Sequence, residues 1–367
     1  VSLKRPDQGG YDYLVLAPAI LLFGLGLIAI YSASSYLAAR EVGDSYFYLK
    51  RQAFFGFLGI CLLIVAKNIP PGFYGKLVYP ALITSLLLLI MVLIPGIGSK
   101  VGGATRWIRI GGFSIQPSEF AKLSLALYIA YSMAKKGPVM SSFTKGFLPH
   151  LIVAGSFMCL ILMQPDLGTT VIIGSWLMIL LFVGGINFLQ LLLMAVAACP
   201  VVYWLITNVG YRANRMVAFL NPWDDPQGLG FQIIHSFLAF GSGGILGVGL
   251  GNSKQKLLYL PEPHTDFVLS IVAEELGLIG VAAVIILFSI LIIRGIKISL
   301  DAPDLYSSYL ALAISVLMGL QVIINMGVVM GMLPTKGLTL PFLSYGGSSL
   351  LVNLIGVGIL LSISSRS

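Results

Sequence analysis

Long apolar runs recur along the whole chain, at 13–35, 52–66, 77–95, 119–134, 151–163, 169–183, 189–207, 268–293, 306–332 and 345–364, divided by clusters of glycine, proline and charge. The runs are continuous rather than alternating, which is the pattern of helices. A helix crossing lipid also satisfies its own backbone hydrogen bonds, whereas a barrel strand would alternate with a period of two. A crossing helix needs roughly 20 apolar residues, so the shorter runs must recruit flanking ones. Ten crossing helices are the expectation. The pair at 151–163 and 169–183 is the weakest, being split only by Gln164-Pro165-Asp166-Leu167-Gly168, and a shallow hairpin there would leave eight full spans.

Composition agrees with this pattern. Of 367 residues, 57% are hydrophobic and 10% charged, against about 25% charged in soluble domains. The same apolar content excludes a disordered chain. The fold class expected is therefore an all-α polytopic membrane protein, with residues 1–367 as one integral membrane domain and 208–267 as a large extracytoplasmic loop within it. No trustworthy cleavage site follows the first apolar run, which reads as a retained span. Cys61, Cys159 and Cys199 each lie inside an apolar run and read as small buried hydrophobes without disulfide or metal spacing.

The net charge is +8. An even number of crossings puts both termini on one side, and lysine and arginine divide almost evenly between the two sides. Density separates them, because the loops on the side of the termini (with Lys4 and Arg5) are shorter, and long loops are discounted in orienting a chain. The termini are thus expected to be cytoplasmic. Each cation left on the outer face reads singly as a headgroup anchor, but as a converging group they would suit an anionic ligand such as a phosphate.

The loop 208–267 holds the most chemistry. Phe231, Ile234, Phe237, Leu238 and Gly241 fall at helical spacing, with Gln232, His235 and Ser236 on another face, so an interfacial amphipathic helix is predicted. Trp223 and Tyr259 suit the headgroup level. The glycines between Gly241 and Gly251 are not a nucleotide loop, having no following Lys-Ser/Thr and no βαβ context; tight turns and close packing explain them. Pro261-Glu262-Pro263-His264-Thr265-Asp266-Phe267 then leads into the next apolar run, which places Asp266 at the first turn of a helix. Thr265 or Asp266 would make an ordinary N-terminal cap. A carboxylate at the interface, beside Lys254 and Lys256, can instead serve as a general base or metal ligand. His264 alone is more often structural, and two such neighbours do not make a zinc site.

Glu119 and Lys122 share a helix face inside an apolar run, where an ionised group costs about 2.5–3.5 kcal/mol on insertion scales, so they should pair or line a wet cavity. Glu274 and Glu275 pose the same demand two turns after Asp266. The segment Leu333 to Pro341 is too apolar to be fully exposed and places Lys336 near the outer surface. Ser344-Tyr345-Gly346-Gly347-Ser348-Ser349 opens the last helix, where small residues pack helices or exposed amides receive phosphate.

Arg106-Trp107-Ile108, Gln116 to Lys122, Gln164 to Gly168, His264 to Phe267, Ala273-Glu274-Glu275-Leu276-Gly277 and Leu343 to Ser349 together resemble the SEDS family (shape, elongation, division and sporulation) over nearly the whole chain. Leu333-Pro334-Thr335-Lys336-Gly337 and Ile94 to Gly98 look like its division branch rather than its elongation branch. The resemblance implies a multi-pass protein of the bacterial inner membrane, at the division septum, that polymerises lipid II into β-1,4 glycan strands with release of undecaprenyl pyrophosphate. It implies Asp266 as the residue essential for polymerisation; the chemistry then expected of Asp266 is to take the proton of the acceptor 4-hydroxyl or to hold a divalent cation, magnesium or manganese, and no organic cofactor is expected. Arg106, Lys336, Lys254, Lys256 and Ser344 are the expected substrate contacts, and Glu119, Lys122 and Glu275 a structural ion pair or cavity. A class B penicillin-binding protein and other division proteins are the expected partners, with no role for nucleic acid. Rival readings are a lipid II flippase, with the intramembrane acids as its pathway, and a division scaffold without catalysis.

Overall fold

The structure is a computed structural model that describes residues 10–101, 104–256, 260 and 263–366. Lys4, Arg5, Tyr259, Pro261 and Glu262 lie outside the described residues. All ten predicted runs fall in helices: α1 (Tyr13–Glu41), α2 (Phe47–Asn68), α3 (Pro71–Leu93), α4 (Pro117–Lys136), α5 (Leu148–Met163), α6 (Leu167–Val183), α7 (Phe188–Thr207), α10 (Val268–Asp301), α11 (Leu305–Val329) and α12 (Gly347–Ser364). Two shorter helices, α8 (Gly210–Leu220) and α9 (Phe231–Gly243), stand between α7 and α10. Among the described residues, eight helices are long and apolar enough to cross a membrane, with α5 reaching 21 residues by adding the preceding π-turn from Phe143. The two other predicted crossings are α4, which carries Glu119, Lys122, Lys135 and Lys136, and α6, which has 17 residues. Glu119 and Lys122 of α4 are buried in the bundle, and α6 buries the face that carries Ile172, Ile173, Trp176, Leu177, Leu180 and Leu181.

Two apolar cores hold the helices together. One joins α1, α2, α10, α11 and α12; the other joins α4, α5, α6 and α11. Helix α11 contributes to both, with Leu310 and Ile314 in the first and Ala313 and Leu317 in the second. At one end of the bundle Asp12 caps α1, its Oδ1 accepting from the Leu14 amide at 3.0 Å and its Oδ2 from Arg294 Nε at 2.9 Å. The Asp12 amide donates to Ser364 Oγ. The start of α1 and the end of α12 therefore share a face, as an even number of crossings requires.

The structure departs from the all-α expectation between α3 and α4. Strands β1 (Gly98–Val101), β2 (Ala104–Ile110) and β3 (Phe113–Ile115) form an antiparallel meander in the order β1-β2-β3, with Ser99 opposite Trp107 and Ile108 opposite Ile115. Gly111 and Gly112, with φ of 55° and 85°, make the tight turn between β2 and β3, the geometry a two-residue hairpin demands.

Helix α10 is not continuous. Gly277 has φ 66° and ψ −163°, which breaks it two turns in. The freed carbonyls of Glu274 and Glu275 accept from the amides of Val248 and Gly249 at 3.0 and 3.1 Å, and the freed amides of Leu278 and Ile279 donate to the carbonyls of Gly244 and Ile245. The glycine-rich segment after α9 thus replaces the missing turn. It has to be glycine where the backbones touch: a Cβ on Gly247 would stand 2.2 Å from the Glu275 carbonyl oxygen, and one on Gly277 would stand 2.4 Å from the Gly247 nitrogen.

Other expectations need correction. Ser236, assigned to a polar face of an interfacial helix, is fully buried, bonded to the Val329 carbonyl at 2.6 Å and Ser270 Oγ at 2.8 Å. That face of α9 meets α10 and α11 because their own hydroxyl and carbonyl groups offer it partners. Cys159 and Cys199 are exposed and Cys61 is half-buried, since their sides of α5, α7 and α2 look outward from the bundle.

Gly277→Ala combines a left-handed backbone with a clash on Gly247, and should cost about 2–5 kcal/mol, read as a lowered unfolding midpoint of the detergent-solubilised protein. Gly24→Ala, in a helix with nothing within 4 Å of the new methyl, should leave the midpoint unchanged or raised. Equal midpoints for the two variants would count against the break as a packed joint.

Candidate functional site

At the end of the bundle away from Asp12, the connections α3–α4, α5–α6, α7–α10 and α11–α12 come together. Arg106 lies on β2, in the middle strand of the meander. Its guanidinium is pinned to the α5–α6 turn, with Nη2 donating to the Pro165 carbonyl at 2.7 Å and Nε to that of Gln164 at 3.4 Å. Asp166 caps α6, taking the Thr169 amide at 3.0 Å and the Thr169 hydroxyl at 2.9 Å. Its Oδ2 is 3.6 Å from Arg106 Nη1. One short turn therefore orients both the helix and the arginine.

These residues form one side of a cavity of about 230 Å³. Arg212 and Arg215 of α8 and Lys336 of the α11–α12 loop stand on its other sides, and Val202 and Ile206 of α7 give it an apolar wall. Arg212 Nη1 donates to the Leu205 carbonyl and Arg215 Nη1 to that of Thr335, each at 3.0 Å. Four cations from three connections thus surround a space to which the fourth connection, α5–α6, adds Asp166 as a lining carboxylate. Burial holds the Lys336 ammonium below the usual lysine range, and an anion beside it would favour its charged form.

Asp266 stands at the rim. It is half-buried in the turn before α10. The cap position is Phe267, which makes no side-chain cap bond, so Asp266 stands just ahead of the helix rather than in its first turn. The Asp266 carbonyl accepts from Asn325 Nδ2 at 3.1 Å, and the same amide group donates to the Leu338 carbonyl at 2.6 Å. Asn325, on α11, thereby clips the Asp266 turn to the Lys336 loop. A Cβ on Gly337 would lie 3.4 Å from Asp266 Oδ2 and 3.9 Å from Arg106 Nη1, so the carboxylate and the guanidinium both lie beside a residue with no side chain.

His264 is 2% exposed, between the rings of Tyr48 at 4.3 Å and Tyr345 at 5.5 Å. Its carbonyl accepts from the Tyr345 amide at 2.8 Å. Burial pushes its imidazole down to about 4, so it is neutral near pH 7 and supports the turn.

The remaining predicted residues are elsewhere. Lys256 is buried, with Nζ 3.1 Å from Glu275 Oε1 and 3.1 Å from Ser32 Oγ of α1; a lysine committed to that pair is not placed to meet a substrate. Lys254 is exposed, does not line the cavity, and uses its amide to donate to Glu274 Oε1 at 3.0 Å. Ser344 is buried, its Oγ accepting from the Leu340 amide and its carbonyl from Gln52 Nε2. Glu119 and Lys122 form a buried ion pair at 2.8 Å, and Glu275 one with Lys256. Asp166, Arg212, Arg215 and Asn325 had not been picked out. Asp166 carried a signal, an acidic cap before an apolar run; Asn325, a lone amide inside such a run, carried almost none.

A protein-built metal site does not fit. No group of three or more His, Cys, Asp or Glu side chains able to hold an ion occurs among the described residues. Asp166 is committed to Thr169 and Arg106, and the cavity is lined with cations. Magnesium can be held by one or two carboxylates together with substrate phosphates, and Asp266 would be the carboxylate to supply in that arrangement.

The chain matches the FtsW/RodA/SpoVE family, described as a cell cycle protein, over residues 12–367. It is 48% identical over 366 residues to a probable peptidoglycan glycosyltransferase FtsW of Geobacter metallireducens, covering 100% of this chain and 97% of that one. It is 43% identical over 357 residues to the stage V sporulation protein E of Bacillus subtilis, covering 97% of each. A chain solved to explain how a peptidoglycan synthase complex coordinates polymerization and crosslinking superposes with a TM-score of 0.79 at 29% identity, over 97% of this chain and 98% of that chain.

The histidine gives a pH dependence with a definite sign. A folded-state value of about 4 lies below the 6.5 of an ordinary histidine, so the stability is present above pH 6.5 and is lost as the pH falls from there toward 4. The loss should reach roughly 3 kcal/mol. His264→Phe should show a flatter fall in the unfolding midpoint over that interval; an identical fall would exclude His264 as its source.

Proposed function

The chain belongs to the FtsW/RodA/SpoVE family, and from that premise we propose that it is a peptidoglycan glycosyltransferase that polymerises lipid II into β-1,4 glycan strands. The observation that carries this reading is the meeting of Asp266 Oδ2 and Arg106 Nη1 at Gly337, on the rim of a cavity bearing Arg212, Arg215 and Lys336. Lipid II holds its sugar through an α-linked pyrophosphate, and the β-linked product has the opposite configuration, so a single in-line displacement suffices. Asp266 takes the proton of the attacking 4-hydroxyl. The glycosidic carbon gains that oxygen and loses the pyrophosphate, whose charge Arg106, Lys336, Arg212 and Arg215 receive. Burial makes these charges more effective than they would be in water. A magnesium or manganese ion enters this scheme only with the substrate's pyrophosphate, and no step is routed through it.

Similarity to a chain of a peptidoglycan synthase complex supports a class B penicillin-binding protein as the crosslinking partner. We extend the reading to septal synthesis with other division proteins, in the bacterial inner membrane with both termini cytoplasmic; the family's naming and the shared face of the two termini support it. The flippase reading has no observation of its own. Its four acids and bases belong to two buried networks, Glu119 with Lys122 and Glu274 and Glu275 with the loop at Ser253 to Lys256, with no shared partner among the described residues.

Asp266→Asn should lower polymerisation of lipid II by about 10²–10⁴ with an unchanged unfolding midpoint, measured on the purified protein with its partner. Wild-type rates in that variant would remove Asp266 from the chemistry, and unaltered polymer with lost translocation would favour transport. The two lysines separate in the same assay. Lys336→Ala should slow polymerisation with the fold intact, whereas Lys256→Ala leaves Glu275 buried without its cation and should cost about 3–5 kcal/mol of stability.

A further inference from the structure

A second polar cavity lies at the other end of the bundle. Helix α4 begins at Pro117 on the face of Asp266 and ends at Lys136, 20 residues on, about 30 Å along its axis. There a cavity of about 490 Å³ is lined by Lys135, Lys136, Lys145, Tyr79, Tyr131 and Ser132 among others, with no carboxylate in its lining. Lys136 Nζ is buried and has no hydrogen-bond partner among the described residues. A buried ammonium without a partner is costly, and an anion in the cavity would complete it. The C-terminal end of α4 by itself favours Lys135 and Lys136. It does not account for Lys145, which arrives from the separate π-turn Phe143–Phe147.

We propose that this cavity binds the phosphodiester headgroup of an anionic membrane phospholipid. The three ammonium groups supply the charge, and the hydroxyls of Tyr79, Tyr131 and Ser132 are donors to phosphate oxygens. A free anion would need nothing more, but the surface beside the cavity continues in a way that suits a lipid. Tyr79 lines the cavity and is 53% exposed, and Ile83 and Leu87, one and two turns further along α3, are 56% and 53% exposed. This apolar stripe leads from the phosphate site into the bilayer at the spacing of one helix face, where an acyl chain would lie. The site is separate from the Asp266 cavity and does not depend on the reaction assigned there.

Lys135 and Lys145 are exposed, so both can be changed without disturbing the core. The full-length protein in nanodiscs or detergent, titrated with phosphatidylglycerol and with phosphatidylcholine and followed by native mass spectrometry, should retain one phosphatidylglycerol selectively. Lys135→Gln with Lys145→Gln should weaken that retention about 25-fold, fivefold for each lysine, while its unfolding midpoint in phosphatidylcholine stays that of the wild type. Equal retention of the two lipids by the wild type, or undiminished retention by the double variant, would overturn the proposal. So would displacement of phosphatidylglycerol by millimolar inorganic phosphate, which would identify a soluble anion as the ligand.

Discussion

A backbone amide or carbonyl left without a partner inside lipid costs several kcal/mol, and the break at Gly277 frees two of each. The long connection between α7 and α10 exists in its present form because it answers that cost. The amides of Val248 and Gly249 and the carbonyls of Gly244 and Ile245 fill the gap in α10, and the segment that follows is then fixed to the same helix through Glu274, whose carboxylate receives the amides of Lys254 and Gln255. Glu275 continues the anchorage to Lys256 and to Ser32. Two acids that look expensive in a membrane helix thus hold the loop that ends at Asp266.

The face that results is built from clips. Asn325 ties the Asp266 turn to the Lys336 loop, Arg215 ties α8 to Thr335, and Arg106 ties the meander to the α5–α6 turn. Each joins two connections that are far apart in sequence, and each uses a backbone carbonyl as acceptor. The guanidinium groups of Arg106 and Arg215 and the ammonium of Lys336 line one cavity, with Asp166 3.6 Å from Arg106. A doubly charged ligand entering there would meet several cations at once.

The helices were legible because hydrophobic runs report solvent, and the solvent here is lipid. The role of the acids was legible too: a charge within an apolar run must have a partner, and Glu119, Lys122 and Glu275 each do. Arg106, Lys336 and Asp266 could be placed on one face by counting crossings. What the pattern did not carry was which loop cations meet. Lys256 and Lys336 look alike as lysines in outer loops, yet Glu275 takes the first and the second lines the cavity, a difference set by contacts to other helices. The break at Gly277 was hidden for a similar reason: one glycine in a long apolar run is ordinary, and only the opposing glycines of the 244–249 segment give it meaning. The meander escaped because its strands are short, although Gly111-Gly112 between apolar residues was a readable turn.

The triad of Ser32, Lys256 and Glu275 has a consequence for biosynthesis. Ser32 lies in α1, and its partners follow 224 and 243 residues later in the chain. Until then α1 holds a hydroxyl in the membrane whose intended company does not exist, and neither the broken helix nor the loop it anchors can close. This network is therefore completed only once the chain as far as Glu275 has been inserted. A chain stalled before that point would retain several well-formed helices and yet lack the anchored loop.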